Sequence, residues 1–298
     1  VRGGQVTYGT DDSAALAAAV NEANSQYALG KRAMIYVPPG NYLLKGTTIP
    51  TFLKGGSIVG STAGKSTFYI DPTFIGDVFS WSEAWLGISG SFPIPGFTSS
   101  LSLAGYGPTV ERISIIGDLS APTQQNAFMF YDHNDYIVMQ DVNVMYLNGR
   151  SLCLGCAIKN STGAYTRESK FSRLRFNNVG QPGVPTMEIG AITTGNADDL
   201  RFSQVDIYGA QGPGLVIRAS AGAQIGENHF SQLRIEGSEY QWPQPVGDHL
   251  KIGDASYAGT ISNLFFDQVQ LVTPYYGSNA ILIDGVNSSS NYYINFTN

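Results

Sequence analysis

The sequence predicts an all-β fold: a single-stranded parallel β-helix with one capping α-helix at its amino-terminal end. Three observations carry that expectation. A seven-residue pattern returns six times, starting at 110, 139, 171, 202, 230 and 266, so the spacings are 29, 32, 31, 28 and 36. A second short apolar stretch lies between successive copies. The one strong helix signal comes before all of them. A repeat of this size marks a unit that buries its apolar face only by stacking on its neighbours. Units with strands and no helix fit coils stacked at about 4.8 Å.

Residues 11–29 carry the helix signal. Asp11, Asp12 and Ser13 offer amino-terminal capping side chains, Leu16, Ala19 and Val20 share a face, and Gly30 is a natural stop. A helix there would cover core side chains and strand edges that an open solenoid end leaves bare. Ala33 to Leu44 then reads as two strands around a Pro-Pro-Gly-Asn turn. Residues 61–109 are the least regular, with Phe79, Trp81, Trp85, Phe92 and Phe97 among Gly, Ser and Pro. Packing of these aromatics is preferred to an aromatic wall for sugars. The chain divides into 1–50, the cap helix and first strands; 51–109, the first coils with an aromatic insertion; and 110–298, the regular coils, all in one domain.

The six copies run Val110–Ile116, Met139–Met145, Phe171–Asn177, Phe202–Tyr208, Phe230–Glu236 and Phe266–Val272. Positions 1, 4 and 6 are apolar in each, and the alternation over positions 4 to 6 is strand-like. The intervening strands are expected at Ala127–Tyr131, Cys156–Lys159, Gly214–Arg218, His249–Ile252 and Ala280–Asp284, with a looser one at Met187–Thr194.

Composition narrows the function. A net charge of -6 gives no support to nucleic-acid binding, which needs a basic stripe. No apolar run approaches 18 residues, so no membrane-spanning helix is expected. The chain opens at Val1 without a signal-peptide pattern, and flanking domains are expected. Cys153 and Cys156 form a lone C-x-x-C with no second pair and a strand after it, which favours a structural role over metal or redox chemistry.

The amino-terminal motifs go further. Gly9-Thr-Asp-Asp-Ser-Ala-Ala-Leu16, Val37-Pro-Pro-Gly-Asn-Tyr-Leu-Leu44 and Gly56-Ser-Ile-Val-Gly60 resemble the start of the pectate-lyase-like superfamily, in the branch of phage tailspikes and polysaccharide depolymerases. The motif match covers about residues 9–60, and the coil pattern extends it. It implies a right-handed β-helix, a polysaccharide partner, a homotrimer and an extracellular or virion-surface location. It does not fix the chemistry, because that branch includes hydrolases, lyases, epimerases and plain binders.

The repeat predicts columns of side chains. Position 5, pointing outward, gives Ser114, Asn143, Arg175, Asp206, Arg234 and Gln270; position 7 should share that face and holds Tyr208 and Glu236; position 3 gives Arg112, Asp141, Arg173 and three glutamines. Asp206 is expected between Arg175 and Arg234, the bland reading being a surface ion-pair ladder. Glu236 is expected one coil on and two residues along from Asp206, with Tyr208 beside it. That places the two backbones roughly 8 Å apart, within reach of either glycosidase carboxylate separation. The loop after position 7 of the fifth copy adds Glu239, Tyr240 and Trp242.

The expected catalytic carboxylates are therefore Glu236, Asp206 and Glu239. Trp242, Tyr240 and Tyr208 would stack on sugar rings, and Arg175 and Arg234 would grip acidic or hydroxyl groups. The leading expectation is endo-acting hydrolysis of a bacterial capsular or exported polysaccharide, without metal or organic cofactor. The alternatives are a polysaccharide lyase, with an arginine or bound Ca²⁺ neutralising a uronate, and a non-catalytic glycan-binding fibre. Asp132–Asp135, Asp198-Asp199 and Asp248-His249 read as turns.

Overall fold

A computed structural model describes residues 9–29, 31–46, 48–53, 55–61, 66–82, 107–156, 165–192, 195–237, 247–254, 259–272, 279–284 and 293–297. Apart from the helix Ser13–Ala28, the regular structure is parallel β-sheet in three stacks of thirteen, eight and five strands. Among the described residues, the first coils use only the thirteen- and eight-stranded sheets; from His133 to Ile283, each coil visits the five-stranded sheet, bends into the thirteen-stranded one, and returns through the eight-stranded one.

The register joins the aligned copies. At position 1, Val110, Met139, Phe171, Phe202, Phe230 and Phe266 are successive cross-coil partners, continued upward by Ile58 and Ile35 and downward by Phe296. Their rings stack: Phe171 to Phe202 is 4.6 Å between centroids, Phe202 to Phe230 4.8 Å and Phe230 to Phe266 4.7 Å. One coil spacing equals one aromatic stacking distance, so identical residues on successive coils fill the interior without gaps.

The pattern 1, 4, 6 cannot be one flat strand, because residues three apart face opposite sides. The chain solves this at position 3. Arg112, Asp141, Arg173, Gln204, Gln232 and Gln268 all adopt φ between 52° and 57°, which bends the strand and returns position 4 to the interior. A left-handed residue that is not glycine costs about 1 kcal/mol or more. Burial of the apolar positions on either side of the bend offsets that cost in every coil.

The helix packs Leu16, Val20 and Ala23 into the core, whereas Ala19 is only half-buried. Its capping differs from expectation. Asp11 Oδ1 accepts the Ser13 N–H at 3.0 Å, while Asp12 turns away to accept the Leu43 N–H at 2.9 Å, tying the helix start to the first coil.

Two strand expectations are corrected. The strand after the second copy is Leu152–Leu154, paired with Phe128–Phe130; Cys156 lies beyond its end, and the rest of the expected Cys156–Lys159 strand falls in residues 157–164, outside the described residues. Within 61–109, Ser66–Ile70 and Gly76–Ser82 are regular strands of the stack. Phe79 and Trp81 are fully buried there, Trp81 stacking between Phe52 and Phe130, whereas Trp85, Phe92 and Phe97 lie outside the described residues. Cys153 and Cys156 form a disulfide on the outer side of the eight-stranded sheet, beside Met129 and Tyr131.

Candidate functional site

The predicted face lies on the outside of the thirteen-stranded sheet. Arg175, Asp206 and Arg234 are cross-coil partners in that order, and all three are exposed; Ser114, at the top of the same column, is buried. No ion pair within 4 Å joins Asp206 to either arginine among the described residues. The cross-coil pair on this sheet is instead at position 3, where Arg173 grips Asp141 through Nε and Nη2 at 2.5 and 2.8 Å. That contact holds the Asp141 carboxyl below its ordinary range.

Arg234 reaches along its own strand, its Nη2 lying 2.7 Å from Glu236 Oε2. Glu236 is buried, at 6 % accessible, whereas Tyr208 in the same column is exposed and Ile116, Met145, Asn177 and Val272 are half-buried. Glu236 lies at its strand end beside a buried imidazole. The Gly237 N–H donates to His249 Nε2 at 3.1 Å, and the same nitrogen lies 2.9 Å from the Val272 carbonyl oxygen. Val272 is the cross-coil partner of Glu236, so this ring nitrogen sits between the two strand ends, accepting from Gly237 in one tautomer or donating to Val272 in the other. Asp248 does not cap a turn of its own: it reaches across to the next coil, accepting from the Asn279 N–H and Nδ2 at 2.8 and 2.9 Å.

Tyr208 is not level with Glu236. The register slips by one residue between Ile207 and Ala210, and Gly209 takes φ 62° in the resulting bulge. A side chain at 209 would meet Asn178 Oδ1 at 2.6 Å, so a larger residue there would have to push the Asn178 amide aside. The bulge leaves Tyr208 41 % exposed. The structure thus gathers Arg175, Asp206, Tyr208, Arg234 and Glu236 on one wall. Glu239, Tyr240 and Trp242 lie outside the described residues.

Two polar groupings escaped the sequence reading. On the eight-stranded sheet, Glu188 has no exposed surface and is held between Arg150, whose Nε is 2.6 Å from Oε2, and Arg218. Nearby, the Tyr131 hydroxyl donates to Asp77 Oδ2 at 2.6 Å; burial, then the Asp77 charge, pushes that phenol far above its usual range. The second grouping lines a cleft of about 540 Å³ where the five-stranded sheet turns into the thirteen-stranded one. It follows the column three residues before each copy: Tyr136, Glu168 and Asp199 line the cleft and Glu227 continues the column beyond it, all with φ between 50° and 56°. A polar residue at that fixed offset was the available signal.

The fold and its outer wall define a stacked-coil β-protein with a carboxylate-bearing face. No family model and no curated protein matches the chain. Solved structures do. The ORF18 protein of Geobacillus virus E2 superposes with a TM-score of 0.54 at 14 % identity, over 97 % of this chain and 58 % of its own. The tailspike of E. coli bacteriophage HK620, solved with a hexasaccharide, aligns at 0.44 and 10 % identity, over 100 % of this chain and 62 % of its own. The catalytic unit of a GH87 α-1,3-glucanase from Streptomyces thermodiastaticus aligns at 0.43 and 11 %, over 98 % and 51 %. This chain has a right-handed parallel β-helix fold. It spans less than two thirds of the length of each of these three proteins.

Proposed function

We propose that this chain is an endo-acting depolymerase that hydrolyses glycosidic bonds of a bacterial capsular or exported polysaccharide. The observation that carries the reading is the pair of carboxylates on one wall: Asp206, open to solvent, and Glu236, buried and held by Arg234. Asp206 is level with Arg234, and Glu236 stands two residues further along, so the backbones are roughly 8 Å apart. Side chains from such positions span the separations that glycosidases use, about 5 to 9.5 Å.

The environments divide the roles. A carboxylate fixed against a guanidinium is an acceptor, so Glu236 takes the proton of the attacking water or attacks the sugar itself. Asp206 has no cation within 4 Å among the described residues, and a bound glycan would strip its water; it protonates the leaving oxygen. Glu239 is the other acid candidate. Tyr208 offers a ring face, as would Tyr240 and Trp242, and Arg175 binds hydroxyl or acidic substituents. No organic cofactor enters this scheme; Ca²⁺ belongs to the lyase alternative. The glycan class, the homotrimer and the extracellular or virion-surface location rest on the amino-terminal motif resemblance.

The test is incubation with purified capsular and exported polysaccharides, read by product mass and ultraviolet absorbance. Hydrolysis adds one water per cleavage. A new double bond with absorbance marks a lyase, and binding without products marks a fibre. Glu236→Gln is expected to keep fold and glycan binding while lowering turnover about a hundredfold or more. Unchanged turnover rejects Glu236.

A further inference from the structure

The corner cleft of about 540 Å³ takes no part in that chemistry, although its size falls within the range of small-ligand sites. Ile137 and Ser169, both buried, form its floor. Two columns form its walls: Tyr136, Glu168 and Asp199 on the corner, and Val138, Lys170 and Arg201 at the sheet edge. Arg32 closes one end, its Nη2 lying 3.3 Å from both the Gly107 carbonyl oxygen and Thr109 Oγ1.

The charges inside are not balanced. Asp199 is taken up by Arg201 at 3.1 Å. Glu168 accepts the Tyr136 hydroxyl, and that carboxylate raises the phenol's pKa. The Lys170 ammonium, exposed at mid-cleft, has neither an acidic nor a hydrogen-bonding partner among the described residues. An uncommitted cation on one wall with carboxylate lone pairs on the other matches one kind of ligand: a sugar that carries one carboxylate and several hydroxyls. Simple phosphate or sulfate could meet Lys170 but, having no hydroxyl protons to offer, would leave the Glu168 and Asp199 acceptor sites empty.

We propose that this cleft is a second, non-catalytic glycan site that holds a short uronate-bearing segment. Lys170 takes the sugar carboxylate, and Glu168 and Asp199 accept hydroxyl protons. The inference rests on the reading that the chain handles polysaccharide, but not on hydrolysis at Glu236. Lys170 precedes the third copy and Glu236 ends the fifth, so the two sites are two coils and seven positions apart, roughly 20 Å or more. A long chain could touch both, and a trisaccharide could not.

The experiment is calorimetric titration at low ionic strength of trigalacturonate and of neutral maltotriose into three proteins: the wild-type chain, Glu236→Gln and Lys170→Glu. Trigalacturonate is expected to bind wild type and Glu236→Gln alike and to bind Lys170→Glu at least about tenfold more weakly. Lys170→Arg should restore binding, and maltotriose should be indifferent to residue 170. The proposal is overturned if trigalacturonate fails to bind the wild type, if it binds Lys170→Glu equally well, or if only Glu236→Gln abolishes binding. Loss of the hydrolase reading, through unchanged turnover in Glu236→Gln, would leave these binding outcomes intact.

Discussion

Replacing Glu188 should be the most damaging single change on the outside of the coil stack. Its strand neighbours Met187 and Ile189 face the core, so Glu188 faces outward, yet it has no exposed surface. Arg150 and Arg218 flank it with side chains only 20 % and 22 % exposed. Glu188→Ala would leave two guanidinium groups facing each other over the lost carboxylate. Removing one partner of a buried pair costs about 3 to 5 kcal/mol. Both arginines share the same carboxylate and keep some access to water, so the lower end, about 3 kcal/mol, is expected and not twice that. Glu188→Gln keeps shape and an acceptor but not the charge, and should lose less, about 1 to 3 kcal/mol. Replacing all three together, with Arg150→Met, Glu188→Leu and Arg218→Met, should be close to neutral, because no charge is then left without its partner. Urea unfolding followed by tryptophan fluorescence reads these differences. Unfolding rates serve as a cross-check, because stacked repeats do not always unfold in one step. A Glu188→Ala loss below about 1 kcal/mol, or a triple variant as unstable as Glu188→Ala, would refute the reasoning.

Phe202→Ala should cost about 3 to 5 kcal/mol, since the ring is buried and stacked on both faces within the ladder. Phe296→Ala, at the last rung and 43 % exposed, should cost far less; equal losses by thermal unfolding would contradict the ladder. Asp198 tests the pH dependence. Burial, its largest influence, raises its carboxyl above 3.8 despite the Gly226 N–H that bonds to it. A carboxyl raised by folding favours the native state below pH 3.8, and that contribution is lost as pH rises through the folded value. Asp198→Asn should therefore raise the melting temperature at pH 7 by a few degrees, ~1–4 °C, and leave it unchanged near pH 3. A lower melting temperature at pH 7 would show that the ionised group is the better fit.

The solenoid was legible because its apolar positions are also its register. Val110, Met139, Phe171, Phe202, Phe230 and Phe266 align in the sequence and touch in the fold, since each coil can bury them only against the next. The left-handed residue at position 3 was implicit in the spacing of three between apolar positions 1 and 4, although Arg, Asp and Gln give no glycine-like sign of it. The five-stranded sheet was missed. Its strands are three residues long or shorter and mostly polar, as in Asn196–Asp198 and Gln224–Gly226, so they carry no periodic signal. The corner cleft went with it.

Side-chain partnership was the least legible level, and Arg234 shows why. The register puts Asp206 about 4.8 Å away across the coil and Glu236 about 6.6 Å along the strand, and an arginine reaches both. Sequence spacing favours the nearer carboxylate. Solvation favours the other: an exposed pair with Asp206 is worth at most about 1 kcal/mol. Leaving Glu236 buried without a cation would cost several. The guanidinium follows the larger penalty and sits 2.7 Å from Glu236. Burial at position 7 therefore decides the pairing at position 5. That burial occurs at a strand end whose next residue, Gly237, meets His249, thirteen residues on from Glu236, so no column read from the repeat alone contains it.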